Sequence, residues 1–166
     1  MLGDQGTITI LDLRPYPAEQ IRFDSKKYLL PSPLISTAQI GHKFGPYDVT
    51  IPKARAQAYA LAIGGNESPA YSDTLPPIMI IAAALTELIE ELGLFSDGLQ
   101  TVHAGQEVSW NRPVKVGEKV NALGQLTANS VRRGNHFATV QVSYSDLSDK
   151  EIGVSSTTII VTGEDS

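Results

Sequence analysis

The segment from Ile78 to Leu92 constrains this chain more than any other stretch. Its apolar residues run almost fully round a helical projection, and charges enter only at Glu87, Glu90 and Glu91. A helix of that kind has to be covered on nearly every side. Pro76-Pro77 precedes it, and Gly93 is a good C-cap. From Gln100 onward the pattern is β in character. Thr101–Trp110, Lys119–Thr127, His136–Ser145 and Ile152–Val161 are each about ten residues long, with turn signals between them at Asn111-Arg112-Pro113 and Gly117, at Arg133-Gly134-Asn135, and at Asp146–Lys150. Val140, Val142 and Tyr144 alternate with Thr139, Gln141 and Ser143, as half-buried antiparallel strands do. The expected class is therefore α+β, with one antiparallel sheet curled around one long buried helix.

A smaller unit precedes that helix. Gly41, Gly45 and Pro46 mark a turn, and Tyr47–Ile51 reads as a short strand. Pro52 stands where a helix begins. Ala54, Ala58, Leu61 and Ala62 share one face, so Lys53–Ile63 reads as a helix that ends at Gly64-Gly65. The loop Asn66–Thr74 leads into the long helix. In the first 39 residues, Pro15, Pro17, Pro31 and Pro33 break every apolar stretch, and only Thr7–Leu13 alternates well enough for a strand. The chain thus divides into an arm over 1–39 that packs on the domain or a neighbour, a domain over 40–162, and a tail over 163–166.

Composition removes several classes of function. The 166 residues contain no cysteine, which excludes thiol catalysis and thiolate metal sites. The net charge of −5 argues against a nucleic-acid partner, because phosphate neutralisation needs a basic surface. The longest apolar run, Ile78–Leu85, is far short of the ~20 residues that a bilayer requires. The N-terminus lacks the basic-then-apolar layout of a secretory signal, so the expectation is a soluble, cytoplasmic protein with no membrane partner. His42, His103 and His136 lie too far apart in sequence for a metal-ligand motif, and no metal or cofactor is expected.

Two stretches carry a family resemblance. Ile40–Gly65 (IGHKFGPYDVTIPKARAQAYALAIGG) resembles the opening of MaoC-like domains of the N-terminal FAS1-like dehydratase type. Val102–Gly117 (VHAGQEVSWNRPVKVG) is similar to the second-strand signature of the same type: His-x-x-Gln, an aromatic, Arg-Pro and a Gly. The resemblance implies a hot-dog fold that handles acyl thioesters of coenzyme A or acyl carrier protein. It implies addition of water to a trans-2-enoyl thioester, or its removal from a 3-hydroxyacyl thioester. It also implies a homodimer, or a heterodimer with a related subunit.

That chemistry moves a proton between water and carbon, so it needs a carboxylate and an imidazole on one water. The family places Asp and His five positions apart in the loop before the buried helix. Here the matching positions hold Asn66 and Tyr71, with Pro69 retained between them. An amide takes up no proton, and a phenol with an ordinary pKa of about 10 is a poor base at neutral pH. Loss of one such group costs roughly 10²–10⁴-fold. The helix mouth also departs from the pattern: Pro76-Pro77 has no N–H to polarise a thioester carbonyl, which leaves the Ile78 N–H as donor. Asp73 is the nearest carboxylate to this loop. His103 is a candidate lining residue of the acyl or pantetheine channel, and Arg112 and Arg132 are candidates for the coenzyme A phosphates.

Three readings are compatible with these residues. The first is a degenerate subunit that shapes the acyl channel while a dyad-bearing partner supplies the chemistry. The second is an active hydro-lyase or thioesterase with substitute residues: Tyr71 with Asp73, His103, or a helix carboxylate such as Glu87 or Glu90. The third is a non-enzymatic acyl-CoA binder.

Overall fold

The computed structural model describes residues 34–63, 73–94 and 99–162. The strand expected over Thr7–Leu13, the tail, and the positions Asn66 and Tyr71 lie outside the described residues. A one-turn helix α1 (Leu34–Thr37) comes first, followed by β1 (Lys43–Thr50), α2 (Lys53–Ala62), β2 (Thr74–Leu75) and α3 (Pro77–Glu91). Then come β3 (Gln100–Trp110), β4 (Val114–Lys115), β5 (Lys119–Arg132), β6 (Asn135–Ser145) and β7 (Glu151–Thr162).

Five strands form one antiparallel sheet in the order β1-β5-β6-β7-β3, and β2 and β4 make a separate two-stranded ribbon. Alternate residues of the strands line one face. Ala122 and Leu126 of β5 lie level with Tyr144 and Val140 of β6, and Val140 and Val142 lie level with Thr157 and Ser155 of β7, all of them buried. The buried residues of α3 join the same core: Met79, Ile80, Ile81, Ala84 and Leu88. Ile80, Ala84 and Leu88 are spaced by four, so they form one stripe along the helix.

The apolar girth of α3 is not matched by burial all round. Ile78 is 47% exposed, Ala82 is exposed, and Leu85 and Ile89 are only partly covered. Among the described residues, the sheet covers one side of the helix and the far side is less covered. The helix α2 departs from expectation in a similar way. Its length is as the pattern predicts, but Ala54, Ala58, Leu61 and Ala62 are exposed, Leu61 by 64%, and Ala56 is the buried residue. A face made mostly of alanines carries little apolar area, so the packing of Ala56 and half-buried Tyr59 decides how the helix sits.

Two turn signals also resolve differently. Gly45-Pro46 does not end a strand but sits inside β1 as an irregularity between Phe44 and Tyr47. Gly45 has φ +83°, and a Cβ there would lie 2.9 Å from the Tyr47 nitrogen, so only glycine fits without strain. The strand β5 runs five residues past the expected end at Thr127, because the β5–β6 turn is tight: Arg133 (φ 52°) and Gly134 (φ 75°) are its two central residues.

Candidate functional site

The site expected from the sequence centres on the loop before α3. The described part of that loop is Asp73, whose side chain is exposed and whose carbonyl accepts a hydrogen bond from Val116 N at 3.1 Å. Thr74 and Leu75 then pair with Lys115 and Val114. This ribbon fixes the end of the loop, and the start of α3, against the β4–β5 turn. Pro76 is the N-cap in extended conformation, Pro77 opens the helix, and Met79 N bonds back to Pro76 O at 3.0 Å. Pro77 has no N–H, so Ile78 carries the first backbone donor of α3, one of those that an α-helix leaves without an intrahelical partner.

The other candidates are dispersed. His103 lies on β3 opposite Ile159, and its Nε2 is 3.1 Å from Gly105 O across a bulge between His103 and Gly105. It stands seven residues, about 20 Å, from the end of β3 nearest the helix mouth. The Arg112 guanidinium is engaged: Nη2 donates to Glu118 Oε1 at 2.7 Å and to Asp146 Oδ2 at 3.2 Å, and Nη1 donates to Pro113 O at 3.1 Å. The Arg112 bond holds the Glu118 carboxyl below its ordinary range. Asp146 is held low chiefly by the Ser148 and Lys150 N–H groups. Arg112 thus clamps three turns together. Arg132 is exposed at the far tip of the β5–β6 hairpin, about 40 Å along β5 from Lys119. Asp73 and Ile78 are neighbours in sequence at this helix mouth, Arg112 is committed to Glu118 and Asp146 beside the β4–β5 turn, and His103 and Arg132 lie far along their strands.

Residue patterns alone missed two polar arrangements. The Tyr47 hydroxyl donates to Glu91 Oε2 at 2.5 Å, and the same oxygen accepts from Gly45 N at 3.1 Å, which ties β1 to the end of α3. Burial, and then the Glu91 carboxylate, push the Tyr47 phenol above its ordinary value. On the helix-bearing face of the sheet, the Tyr144 hydroxyl pairs with Ser155 Oγ at 2.9 Å in full burial, and burial raises the phenol to about 12. Beside them the Thr157 hydroxyl donates to Gln106 Oε1 at 2.8 Å. His136 is half-buried, and its Nδ1 is sealed with no partner among the described residues. Strand register alone brings these groups together, and no local motif signals it.

The family model described as "FAS1-like, dehydratase domain region" matches residues 38–153. The chain belongs to this FAS1-like dehydratase family. Among curated relatives, a UPF0336 protein of Clavibacter michiganensis is 27% identical over 89 residues, which is 54% of this chain and 60% of that protein. A second UPF0336 protein, from Saccharopolyspora erythraea, is 23% identical over 97 residues, 56% of this chain and 62% of its own length. The chain thus spans about three fifths of these relatives. Solved structures agree on the fold. A chain of the truncated HadBC (3R-hydroxyacyl-ACP dehydratase) complex of Mycobacterium tuberculosis superposes with TM-score 0.60 at 15% identity, covering 73% of this chain and 96% of that one. The MaoC-like dehydratase of Rhodospirillum rubrum gives 0.60 at 17% identity, with 78% and 96% covered. The (R)-hydratase of A. caviae involved in PHA biosynthesis gives 0.58 at 18%, with 74% and 96% covered. This FAS1-like dehydratase domain has the hot-dog fold, and no described helix is long and apolar enough to cross a membrane.

Proposed function

We propose that this domain is an acyl-thioester-handling subunit of the 3-hydroxyacyl-thioester dehydratase/enoyl-thioester hydratase class that lacks the catalytic pair of its family. The reading rests above all on Asn66 and Tyr71, which stand at the positions where the family carries Asp and His. Neither side chain exchanges a proton readily near neutral pH, so water at this loop lacks a base. Asp73, the nearest described carboxylate, has an exposed side chain in contact with solvent rather than with a closed cavity.

The role that remains is to bind and orient. The Ile78 N–H at the start of α3 faces the end of the loop, where a thioester carbonyl is placed in this class of site. The partner is a dyad-bearing hot-dog subunit, and β3 is the surface on which it pairs. That strand is an 11-residue edge with one charged residue, Glu107, and with exposed Val102 (54%) and Val108 (48%) on its opposite faces. An edge this long and this little charged is a site of strand addition. The other edge, β1, is shorter and interrupted by Gly45-Pro46. The structurally similar 3R-hydroxyacyl-ACP dehydratase HadBC of Mycobacterium tuberculosis is itself a complex.

The test is co-purification and assay with a dyad-bearing MaoC-like chain. Crotonyl-CoA hydration is expected to appear in the mixture and to be lost when the partner's dyad is removed. Turnover that survives loss of the partner's dyad would refute the division of labour.

A further inference from the structure

The face of the sheet turned away from α3 is nearly free of charge. Charged residues make up 19% of the chain, yet β5 from Asn121 to Val131, all of β6, and β7 from Ile152 to Thr162 hold no Asp, Glu, Lys or Arg. Apolar side chains stand on this outer face at Leu123, Phe137, Val154 and Ile160. The hydroxyls among them are already bonded within the sheet. Thr139 and Thr158 bond to each other at 3.1 Å, Thr127 Oγ1 donates to Thr139 O at 3.1 Å, and Ser143 Oγ donates to Leu123 O at 3.3 Å. Covering this face therefore strips none of these hydroxyls of its hydrogen bond. The described helices do not cover it: Ile35, Ala56 and the buried residues of α3 all belong to the core on the opposite face.

The charges at its borders select the neighbour. One row crosses all five strands in register: Lys43, Gln125, Gln141, Ser156 and Glu107. A cation stands at the β1 end and an anion at the β3 end, about 19 Å apart at the usual strand spacing. Both side chains are exposed, and neither has an ion-pair partner among the described residues. A second copy turned over this face, about a twofold axis along the strands, meets the row in reverse. Lys43 of each copy then lies over Glu107 of the other. A twofold axis across the strands would set β1 over β1 and leave both charges unmatched. The first arrangement keeps the strands of the two sheets aligned, as stacked sheets pack. Five strands of about ten residues give a footprint of roughly 800 Å², the size per partner of a stable interface.

We propose that the outer face of the sheet is a self-association surface, on which a second copy of this chain packs face to face with Lys43 over Glu107. The backbone edge of β3 stays free for strand pairing, so the two contacts coexist. Phe137 is the one aromatic side chain on this face among the described residues, so the contact is weak, with a Kd on the order of 10–100 μM. Sedimentation of the full-length chain tests it. The expected result is a 17.8 kDa monomer near ~1 μM and a dimer at several hundred μM. Gln141 is exposed at the centre of the row, and Gln141→Lys is expected to hold the chain monomeric throughout. Lys43→Glu and Glu107→Lys are each expected to raise the Kd about tenfold, and the two together to restore it. These residues are exposed, so rescue by the double change reads the contact and not the folding. A monomer at every concentration would overturn the proposal. So would a dimer that survives Gln141→Lys, because its contact would lie elsewhere, on the β3 edge or through residues 1–33. Single charge changes without rescue by the pair would overturn the twofold arrangement.

Discussion

Single atoms decide the packing at two positions. Gly153 carries the Trp110 ring, and a methyl group there would meet the ring, and Ser109 O at 2.7 Å. Gly153→Ala is expected to cost about 2–3 kcal/mol, seen as a fall of roughly 5–10 °C in the thermal midpoint. An unchanged midpoint would show that the ring moves freely aside. The Tyr47 hydroxyl binds Glu91 at a partly exposed seam. Tyr47→Phe should therefore cost only about 1 kcal/mol in chemical denaturation. Both phenols titrate above their ordinary values in the fold, Tyr144 at about 12. A raised phenol stabilises the fold below the unfolded pKa of about 10, and that stabilisation is lost as pH climbs through the folded value. Stability of the unmodified protein is thus expected to fall above about pH 10, and less steeply in Tyr144→Phe.

At the scale of elements, the sheet is clamped by turns. Arg112 joins the β3–β4 turn to Glu118 before β5 and to Asp146 after β6. The carboxyls of Glu118 and Asp146 are held low, so their contribution is present above about pH 4 and lost as pH falls through their folded values. Arg112→Met is predicted to lower the midpoint by about 2–4 °C at neutral pH and to erase that difference near about pH 3. A deficit that persists in acid would mean that Arg112 acts by packing rather than by charge. The elements themselves were largely legible in the sequence. The apolar run of α3 and the alternation of β3, β5, β6 and β7 are set by short-range periodicity, and the observed boundaries match them closely, β5 excepted. What was not legible depended on long-range register. The buried face of α2, the strand running through Gly45-Pro46, and the meetings of Trp110 with Gly153 and Thr157 with Gln106 all need a neighbour that local pattern does not name. For the same reason Arg112 read as a candidate for the coenzyme A phosphates, when its partners Glu118 and Asp146 lie six and thirty-four residues away.

At the scale of the molecule, two apolar surfaces stay open among the described residues. The strand β3 is an edge exposed on both faces, and one side of α3 is uncovered from Ile78 onward. In the double variant Val102→Lys, Val108→Lys, association with a dyad-bearing partner is predicted to fail, leaving unmixed chain of 17.8 kDa in sedimentation. A complex that survives would place the contact on another surface. Membership of the FAS1-like dehydratase family accounts for the fold; that Asn66 and Tyr71 separate this chain from the family's chemistry is the proposal to be tested. The most direct test is hydration of crotonyl-CoA and longer enoyl-CoA substrates by the purified chain alone. Binding of the acyl-CoA with no rate above background is expected. A rate that is present in the unmodified chain and falls in Tyr71→Phe would contradict it and place Tyr71 in the chemistry.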